Sequence, residues 1–330
     1  MTRIAVLDDY HGLVSALPCW ARLEGRATVE VFRDTPATDE ALVERLRGFP
    51  IVVPIRERTQ FPAALLRRLS DLKFLALTGK NSGHVDLAAA TACGILVAET
   101  EGSGASAFEL TIGLMLAVAR QIPREDRAMR EGKWQTSIGD ELSGKTLGII
   151  GLGRLGTRVA AFGRLLTMRL LASGPTLTDE RAAAAGATRV PLDDLFRESD
   201  VVSLHLRLVE QTRGIVTAHH LSLMKPTAYL VNTARGPLVD EAALIATLRD
   251  RRIAGAAVDV YDIEPLPADH RLRSLDNVVL SPHHGYVTSD AYHLFFTQAV
   301  DNLVRYLDGE LPNRTLNPQV MERAGGARSG

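Results

Sequence analysis

Three side chains in the C-terminal half of the chain could together move a proton on a small carboxylic acid. Arg235 follows the apolar run "AYLVNTA", Glu264 lies in "VDVYDIEP", and His283 lies in "LSPHHGYVT". An arginine can hold a carboxylate with two parallel hydrogen bonds. A histidine that a carboxylate orients and keeps basic can pass a proton to a carbonyl while a hydride arrives at its carbon. The three residues therefore indicate acid-base chemistry on a keto acid.

Each of these residues has a simpler interpretation when it is taken alone. An isolated arginine in a loop is usually an ordinary surface residue, and a single histidine near a strand end is more often a core or surface residue than a catalytic one. The catalytic interpretation depends on their occurrence together with a nucleotide-binding pattern in the same half of the chain.

That pattern is a glycine fingerprint. The apolar run "TLGII" leads into Gly151-x-Gly153-x-x-Gly156 and then into the helical pattern "RVAAFGRLL", which is the context that dinucleotide binding requires. Gly151 permits a tight turn, Gly153 lets a pyrophosphate approach the backbone, and Gly156 lets helix and strand pack closely. The alternative is a turn in a sheet protein that binds nothing.

Buried strands are expected to position the candidate catalytic residues and the glycine fingerprint. Apolar runs at 3–8, 51–55, 72–79 and 95–100 predict four strands in the N-terminal part, and runs at 146–153, 169–173, 201–206, 228–234, 254–261 and 277–283 predict six more. Amphipathic patterns at 38–48, 105–120 and 291–309 predict helices. The alternation is typical of parallel α/β sheets, in which ligands bind at the carboxyl ends of the strands.

Composition excludes several classes of protein. The 330 residues suffice for two domains. A net charge of -1 without long charged runs argues against nucleic acid as a partner. Cys19 and Cys93 are too few for a disulfide framework, and no Cys/His spacing suits a metal site. With no signal peptide and no apolar run of membrane-spanning length, we predict a cytoplasmic protein with no membrane partner.

Four motifs in order, "GLGRLG", "NTARGPLVDEAAL", "DVYDIEP" and "SPHHGYVT", resemble the D-isomer-specific 2-hydroxyacid dehydrogenase family. The resemblance extends from about Arg3 to Pro318. It implies that Arg235 binds and polarises a 2-keto acid, that His283 is the acid/base, and that Glu264 orients His283 and raises its basicity. Formate dehydrogenases, a sister group, carry glutamine at the position of Glu264, so the glutamate favours hydroxy-acid chemistry.

The same resemblance implies an α/β fold of two doubly wound parallel-sheet domains. A Rossmann NAD(P)-binding domain at 103–287 is inserted into a discontinuous flavodoxin-like substrate domain at 1–102 and 288–320, and 321–330 is a flexible tail. It further implies a homodimer formed through the nucleotide-binding domain.

Other positions match cofactor or substrate contacts of the family. Asp259 is the expected partner of the nicotinamide carboxamide, and the loop "TGKNSGHVD" matches the one whose backbone amides hold the substrate carboxylate. Lys80 and His84 depart from the usual glycine-rich, apolar loop, and we expect both to point to solvent rather than to form a second anion contact. The candidate substrate-binding residues are Arg56, Lys80, Asn81, Ser82 and Arg235. The candidate cofactor-binding residues are Thr111, Gly151, Gly153, Arg154, Leu155, Gly156, Ser173, Gly174, His205, Arg207, Thr212, Thr233, Ala234, Asp259 and Gly285.

An acid is missing after the second strand of the nucleotide-binding pattern. NAD-using relatives have Asp there, which bonds the ribose hydroxyls and repels a 2′-phosphate, whereas this chain has Gly174. Relatives usually have proline where Arg207 stands, and an arginine could pair with a 2′-phosphate. The cofactor is therefore either NAD or NADP, since Ser173 or Thr176 could still serve an unphosphorylated ribose.

Two alternatives to a D-2-hydroxyacid dehydrogenase of unspecified substrate stay open. One is D-3-phosphoglycerate dehydrogenase activity within the same class, and the other is a nucleotide-sensing interaction protein on the same fold. An L-lactate or malate dehydrogenase is disfavoured, because those chains begin with the glycine fingerprint, which here starts only at Gly151.

Overall fold

The computed structural model describes residues 1–81 and 83–326. Ser82, a predicted substrate contact, lies outside the described residues. The chain divides into two units, one comprising Met1–Ser103 with Thr288–Gly330 and the other Gly104–Val287.

The strands and helices alternate along most of the chain. The strands are β1 (Thr2–Leu7), β2 (Ala27–Val31), β3 (Ile51–Pro54), β4 (Phe74–Ala76), β5 (Leu96–Ala98), β6 (Thr146–Ile150), β7 (Arg169–Ser173), β8 (Thr188–Arg189), β9 (Val201–Leu204), β10 (Tyr229–Asn232), β11 (Gly255–Val258) and β12 (Val278–Leu280). The helices are α1 (Asp39–Arg45), α2 (Ala63–Leu66), α3 (Leu87–Ala92), α4 (Ser106–Ala119), α5 (Ile122–Arg130), α6 (Arg154–Leu165), α7 (Asp179–Ala184), α8 (Leu192–Glu198), α9 (Ala218–Leu223), α10 (Glu241–Arg249), α11 (Ser289–Leu307) and α12 (Gln319–Gly326).

The first unit contains a parallel sheet in the order β2-β1-β3-β4-β5, which is the flavodoxin-like order. Strands β1, β3, β4 and β5 are the four predicted from buried apolar runs. Strand β2 was not predicted, because "ATVEV" alternates partly buried with exposed residues at the sheet edge rather than forming an apolar run.

The second unit contains a seven-stranded sheet in the order β12-β11-β10-β9-β6-β7-β8, with all pairings parallel. Counted from β6, this is the Rossmann order 3-2-1-4-5-6 with one further strand. The predicted fold class is confirmed. Strand β8 was missed, since its two residues are both exposed.

The three helices predicted from the sequence correspond to α1, α4 and α11, and capping residues begin two of them. Thr38 accepts a hydrogen bond from the Ala41 backbone N–H at α1, and Thr288 accepts one from Ala291 at α11. In the first unit, α11 packs through Tyr306, which stacks on Phe74 at 4.6 Å between ring centroids. Such contacts fix the helix to the sheet.

One local expectation is corrected. His84 is buried at 5% exposure rather than pointing to solvent, because its carbonyl accepts the Phe61 N–H and the adjacent Val85 forms a parallel bridge with Phe61. Helix α12 extends to Gly326, into the segment 321–330 that is predicted to be a flexible tail. The run "VMERA" contains good helix formers, which explains the extension, and the flexibility of the tail stays a prediction.

Candidate active site

The three residues singled out for catalysis follow three neighbouring parallel strands. Asn232 pairs in register with Val258, and Val258 with Leu280. Because parallel strands end at one edge, the loops after β10, β11 and β12 lie side by side there. This edge carries Arg235, Glu264 and His283.

His283 and Glu264 are in direct contact. The imidazole Nδ1 lies 2.6 Å from Glu264 Oε2, and the side chains are 22% and 33% exposed. His283 has a left-handed backbone with φ of 51°, which its N–H bond to the Asp259 carbonyl at 2.8 Å helps to hold. Strained backbone of this kind concentrates at functional sites. With Nδ1 on the carboxylate, Nε2 is the ring nitrogen available to another molecule.

The loop that carries Arg235 is fixed at both of its ends. Asn232 Oδ1 accepts the Ala234 N–H, and Asn232 Nδ2 donates to the Arg235 carbonyl. A Cβ added at Gly236 would lie 2.1 Å from the Tyr261 carbonyl carbon. Glycine is therefore required where the Arg235 loop meets the loop leading to Glu264.

Glu241 forms a second link between these loops. Its Oε2 accepts the Asp262 N–H at 3.4 Å and its Oε1 lies 3.1 Å from His270 Nε2. Burial, and then the charge of Glu241, raise the pKa of Asp262. Sequence reasoning missed this link. Asp240 is the N-cap of α10 and accepts the Ala243 N–H.

Asp259 organises the backbone around His283. Its Oδ1 accepts the Ser281 hydroxyl and the His284 N–H, and its Oδ2 accepts the Gly285 N–H at 2.9 Å. Burial raises the pKa of Asp259, although these donors act in the opposite direction. Ser281 was not among the predicted site residues, and its place two residues before His283 is the only signal for it.

Two predicted cofactor contacts meet each other. The hydroxyls of Thr111 and Thr233 lie 2.7 Å apart, and Thr111 also bonds to the Ala107 carbonyl. A Cβ added at Gly285 would lie 3.7 Å from Ala107 Cβ and 3.1 Å from Asp259 Oδ2. Helix α4, the end of β10 and the loop after β12 therefore converge on Thr111, Thr233, Asp259 and Gly285.

The glycine loop has the shape that its motif predicts. Gly151 has φ of 97°, and a Cβ there would lie 2.9 Å from the His205 carbonyl carbon. A Cβ on Gly156 would lie 2.2 Å from the Gly151 carbonyl oxygen, whereas one on Gly153 meets no heavy atom within 4 Å. Gly153 is the N-cap of α6, and no side chain in the described part of the chain caps it. The space and the N–H groups of α6 fit a pyrophosphate.

Arg154 and Leu155 begin α6 directly after Gly153. Arg154 is exposed and Leu155 is partly buried. The Arg154 guanidinium carbon would lie 3.4 Å from a Cβ placed on Gly104, so the side chain extends beside the start of the second unit.

The loop after β7 lies beside the glycine loop. The Ser173 carbonyl accepts the Gly151 N–H at 2.8 Å, and a Cβ on Gly174 would stay 3.8 Å from Gly151. Arg181, which sequence reasoning did not select, donates to the Thr176 carbonyl at 2.9 Å and to the Leu152 carbonyl at 3.1 Å.

The loop after β9 stabilises itself. The Thr212 hydroxyl contacts the Arg207 carbonyl at 2.6 Å and accepts the Val209 N–H, while Arg207 itself is exposed. His205 Nε2 lies 2.9 Å from the Ser203 hydroxyl, and burial lowers the pKa of His205 to about 3. His205 is therefore neutral.

The predicted substrate residues Arg56, Lys80 and Asn81 belong to the first unit. The Arg56 guanidinium donates to the Thr78 carbonyl and to Glu57, and it lies against Gly79. Lys80 is exposed, as expected. The Asn81 N–H donates to Glu99 Oε2 at 3.1 Å, so this amide already has an acceptor within its own unit.

In the part of the chain that the structure describes, no group of three or more His, Cys, Asp or Glu side chains could hold a metal ion. Residues 1–81 and 83–326 also contain no helix with the length and apolar character needed to cross a membrane.

Comparison with known proteins agrees with this geometry. Residues 112–285 match the family model "D-isomer specific 2-hydroxyacid dehydrogenase, NAD binding domain". The chain is 38% identical to a glyoxylate reductase of Aeropyrum pernix over 78% of this chain and 80% of that protein. It is 37% identical to a D-3-phosphoglycerate dehydrogenase of Synechocystis over 82% of this chain, and it spans only 50% of that protein's length.

A solved structure resembles most of the chain. A phosphoglycerate oxidoreductase from Vibrio cholerae superposes with a TM-score of 0.89 at 40% identity, covering 93% of this chain and 99% of the other. The family model alone covers more than half of the 330 residues. The chain belongs to the D-isomer-specific 2-hydroxyacid dehydrogenase family.

Proposed function

We propose that the protein is an oxidoreductase that reversibly reduces a small 2-keto acid to its D-2-hydroxy acid with a reduced nicotinamide dinucleotide. In the reducing direction, the keto acid takes a hydride at its carbonyl carbon and a proton at its oxygen, leaving the oxidised dinucleotide. The observation that carries the proposal is the 2.6 Å contact between His283 and Glu264 on the sheet edge that also bears Arg235.

Each proposed catalytic residue has one task. Arg235 binds the substrate carboxylate and polarises the neighbouring carbonyl, and Asn232 and Gly236 hold its loop in place. His283 donates a proton from Nε2 to the carbonyl oxygen during reduction and takes it back during oxidation. Glu264 holds Nδ1, which orients the ring so that Nε2 faces the substrate.

The glycine loop and the residues around Asp259 fit a nicotinamide dinucleotide. We assign the pyrophosphate to Gly151, Gly153 and the first turn of α6, and the nicotinamide carboxamide to Asp259. When bound, the dinucleotide supplies the hydride, and the protein contributes orientation and the proton. The first turn of α6 includes the predicted contacts Arg154, Leu155 and Gly156. The other predicted cofactor contacts are retained in this proposal as residues that line the dinucleotide site, namely Thr111, Ser173, Gly174, His205, Arg207, Thr212, Thr233, Ala234 and Gly285.

The substrate within the class is open between phosphorylated and unphosphorylated acids. Relatives named glyoxylate reductase and D-3-phosphoglycerate dehydrogenase are both similar to the chain at comparable identity. We propose a small 2-keto acid with or without a phosphate group. Arg56, Lys80 and Asn81 stay predicted substrate contacts. The cytoplasmic location also stays a prediction from the sequence.

The direct assay of this proposal is loss of reduced-cofactor absorbance with glyoxylate, hydroxypyruvate, pyruvate, phenylpyruvate and phosphohydroxypyruvate, with NADH and NADPH in parallel. We expect turnover of at least one acid. Binding of both dinucleotides without turnover of any acid would contradict the proposal in favour of the nucleotide-sensing alternative.

Replacing Glu264 with glutamine is expected to lower kcat for keto-acid reduction by about 10-fold to 10²-fold. Glutamine can still bond Nδ1 and orient the ring, but it lacks the negative charge that the carboxylate places beside the imidazole. The measurement is kcat at saturating cofactor and keto acid. As a control, Glu310→Gln removes an exposed carboxylate that pairs with Arg305 and should leave kcat unchanged. A wild-type kcat in Glu264→Gln would show that Glu264 does not act on His283.

We propose a homodimer formed through an apolar surface of the second unit. Four large apolar side chains are exposed within residues 122–138, namely Ile122, Met129, Trp134 at 74% and Ile138 at 96%. Exposed apolar clusters of this kind mark protein interfaces. We call this set the 122–138 surface and assign a second copy of the chain to it, as the family resemblance implies.

The extended part of the 122–138 surface is held in place by Glu125. This carboxylate accepts the Thr136 N–H and hydroxyl and the Ser137 hydroxyl, and these bonds lower the pKa of Glu125 to about 2. Trp134 and Ile138 are thus presented on a fixed segment, which reduces the entropy that a partner must overcome.

The double variant Trp134→Glu/Ile138→Glu is expected to weaken dimerisation by roughly tenfold or more, because two apolar anchors become charged. Sedimentation velocity over a concentration series measures this effect. Leu165→Glu, on α6 with 78% exposure, is the matched control and should remain dimeric. A wild-type chain that sediments as a monomer at all concentrations would overturn the assignment.

A further inference from the structure

The guanidinium of Arg181 bridges the glycine loop, which follows β6, and the loop that follows β7. It donates to the Leu152 carbonyl, inside the glycine fingerprint, at 3.1 Å, and to the Thr176 carbonyl at 2.9 Å. Both acceptors are neutral backbone oxygens, so they orient the group without neutralising its charge. An arginine has five N–H donors, and these two bonds leave others for a ligand.

The acidic residues near Arg181 are engaged elsewhere. Asp179 pairs with Arg189 at 3.3 Å. Its neighbour Glu180 accepts hydrogen bonds from its own backbone N–H and from Thr178, which lower the pKa of Glu180. Within residues 1–81 and 83–326, no carboxylate forms an ion pair with Arg181. A positive charge therefore remains at the junction of the glycine loop and the β7 loop.

The absence of an acid at Gly174 is not imposed by packing. A Cβ at this position would have its nearest neighbours at 3.8 Å, which is ordinary van der Waals contact. Gly174 is also absent from the residues with left-handed backbone, so an L side chain would fit there. The chain therefore combines a neutral residue where space for a carboxylate exists with a held arginine nearby.

In Rossmann folds, an acid after the second strand bonds the ribose hydroxyls, whereas a nearby arginine accommodates a 2′-phosphate. We propose that Arg181 recognises the ribose 2′-phosphate and that the protein prefers NADPH to NADH. This inference rests on the dinucleotide-dependent function proposed above. It assigns the recognition to Arg181 on α7, whereas the sequence offered Arg207 after β9 as the candidate.

The test is equilibrium binding, which does not depend on turnover. Affinities for NADPH and NADH are measured by calorimetry for the wild type and for the variants Arg181→Ala, Arg181→Lys, Gly174→Asp, Arg207→Ala and Arg249→Ala. Adenosine 2′,5′-bisphosphate and adenosine 5′-monophosphate provide a second pair of probes that lack the nicotinamide. Arg249→Ala is the matched control, because it removes an exposed arginine of α10 that bonds to Asp250.

We expect the wild type to bind the 2′-phosphorylated member of each pair more tightly. Arg181→Ala should weaken the affinity for NADPH and for adenosine 2′,5′-bisphosphate by about tenfold or more, which is the value of a charge-assisted hydrogen bond. The affinity for NADH and for adenosine 5′-monophosphate should change by less than about threefold. Arg181→Lys should keep part of the preference, since the charge remains but the fork is lost. Gly174→Asp should reverse the preference by repulsion, and Arg249→Ala should change neither affinity.

Three results would overturn the inference. Equal weakening of both members in Arg181→Ala would make Arg181 only a tether of the two loops. An unchanged ratio in Arg181→Ala would exclude Arg181, and a lowered ratio in Arg207→Ala would then return the role to Arg207. A wild type that prefers NADH would exclude 2′-phosphate recognition, while a wild type that binds no dinucleotide would instead contradict the proposed function itself.

Discussion

The variant His283→Ala is expected to lose about 10² to 10⁴ of kcat for keto-acid reduction, the range that a positioned acid or base contributes. The imidazole is the proton donor in the proposed mechanism, and Glu264 orients it at 2.6 Å. Dinucleotide affinity should change little, because the glycine loop lies at a different part of the sheet edge. Steady-state turnover and calorimetric binding measured on the same preparation separate these effects.

A surface histidine provides the control for this variant. His219 on α9 is exposed and bonds to Asp193, so His219→Ala should keep full activity. Wild-type turnover by His283→Ala would contradict the assignment of the proton donor. Equal loss of dinucleotide binding and turnover would show that His283 supports the fold rather than the chemistry.

Arg235→Ala is expected to lower kcat/KM for every keto acid by about 10²-fold or more, because two charge-assisted hydrogen bonds to the substrate carboxylate are lost. Arg235→Lys should recover only part of the activity, since an ammonium cannot reproduce the paired geometry of the guanidinium. The measurement is kcat/KM over a substrate concentration series. It should be made with saturating cofactor.

Arg251→Ala is the matched control, as it removes an exposed arginine that bonds to Asp276. This variant should retain kcat/KM. If Arg235→Ala affected keto acids and the corresponding aldehydes equally, Arg235 would not be reading the carboxylate.

The sequence predicted which strand ends carry the candidate catalytic residues, because buried parallel strands appear in a sequence as continuous apolar runs. Apolar runs identified β10, β11 and β12, and their shared edge follows from parallel pairing. This logic brings Arg235, Glu264 and His283 together without any knowledge of side-chain contacts. The elements missed, β2 and β8, are edge strands whose partly or fully exposed residues lack an apolar run.

Contacts between loops could not be predicted from the sequence patterns. The approach of Gly236 to Tyr261 and the link from Glu241 to His270 join residues that are distant along the chain. They depend on loop conformations for which no periodicity exists. The same holds for Arg181, whose partners are backbone carbonyls and carry no sequence signature.

Motif matching also does not reveal which groups already have partners. Thr111 and Thr233 bond to each other, and the Asn81 N–H bonds to Glu99. His84, expected in solvent, is buried because its loop bridges to Phe61. A match to a family motif therefore predicts the position of a side chain in the fold better than it predicts the hydrogen-bond partners of that side chain.

The most direct test of the proposed function follows the hydride itself. The wild-type protein is incubated with a keto acid that it reduces and with reduced cofactor that carries deuterium at the transferable position of the nicotinamide. The product is analysed by mass spectrometry and chiral chromatography. The mechanism predicts a D-2-hydroxy acid with one deuterium at C2 for each cofactor oxidised. A product of L configuration, or one without the deuterium, would contradict the proposed function.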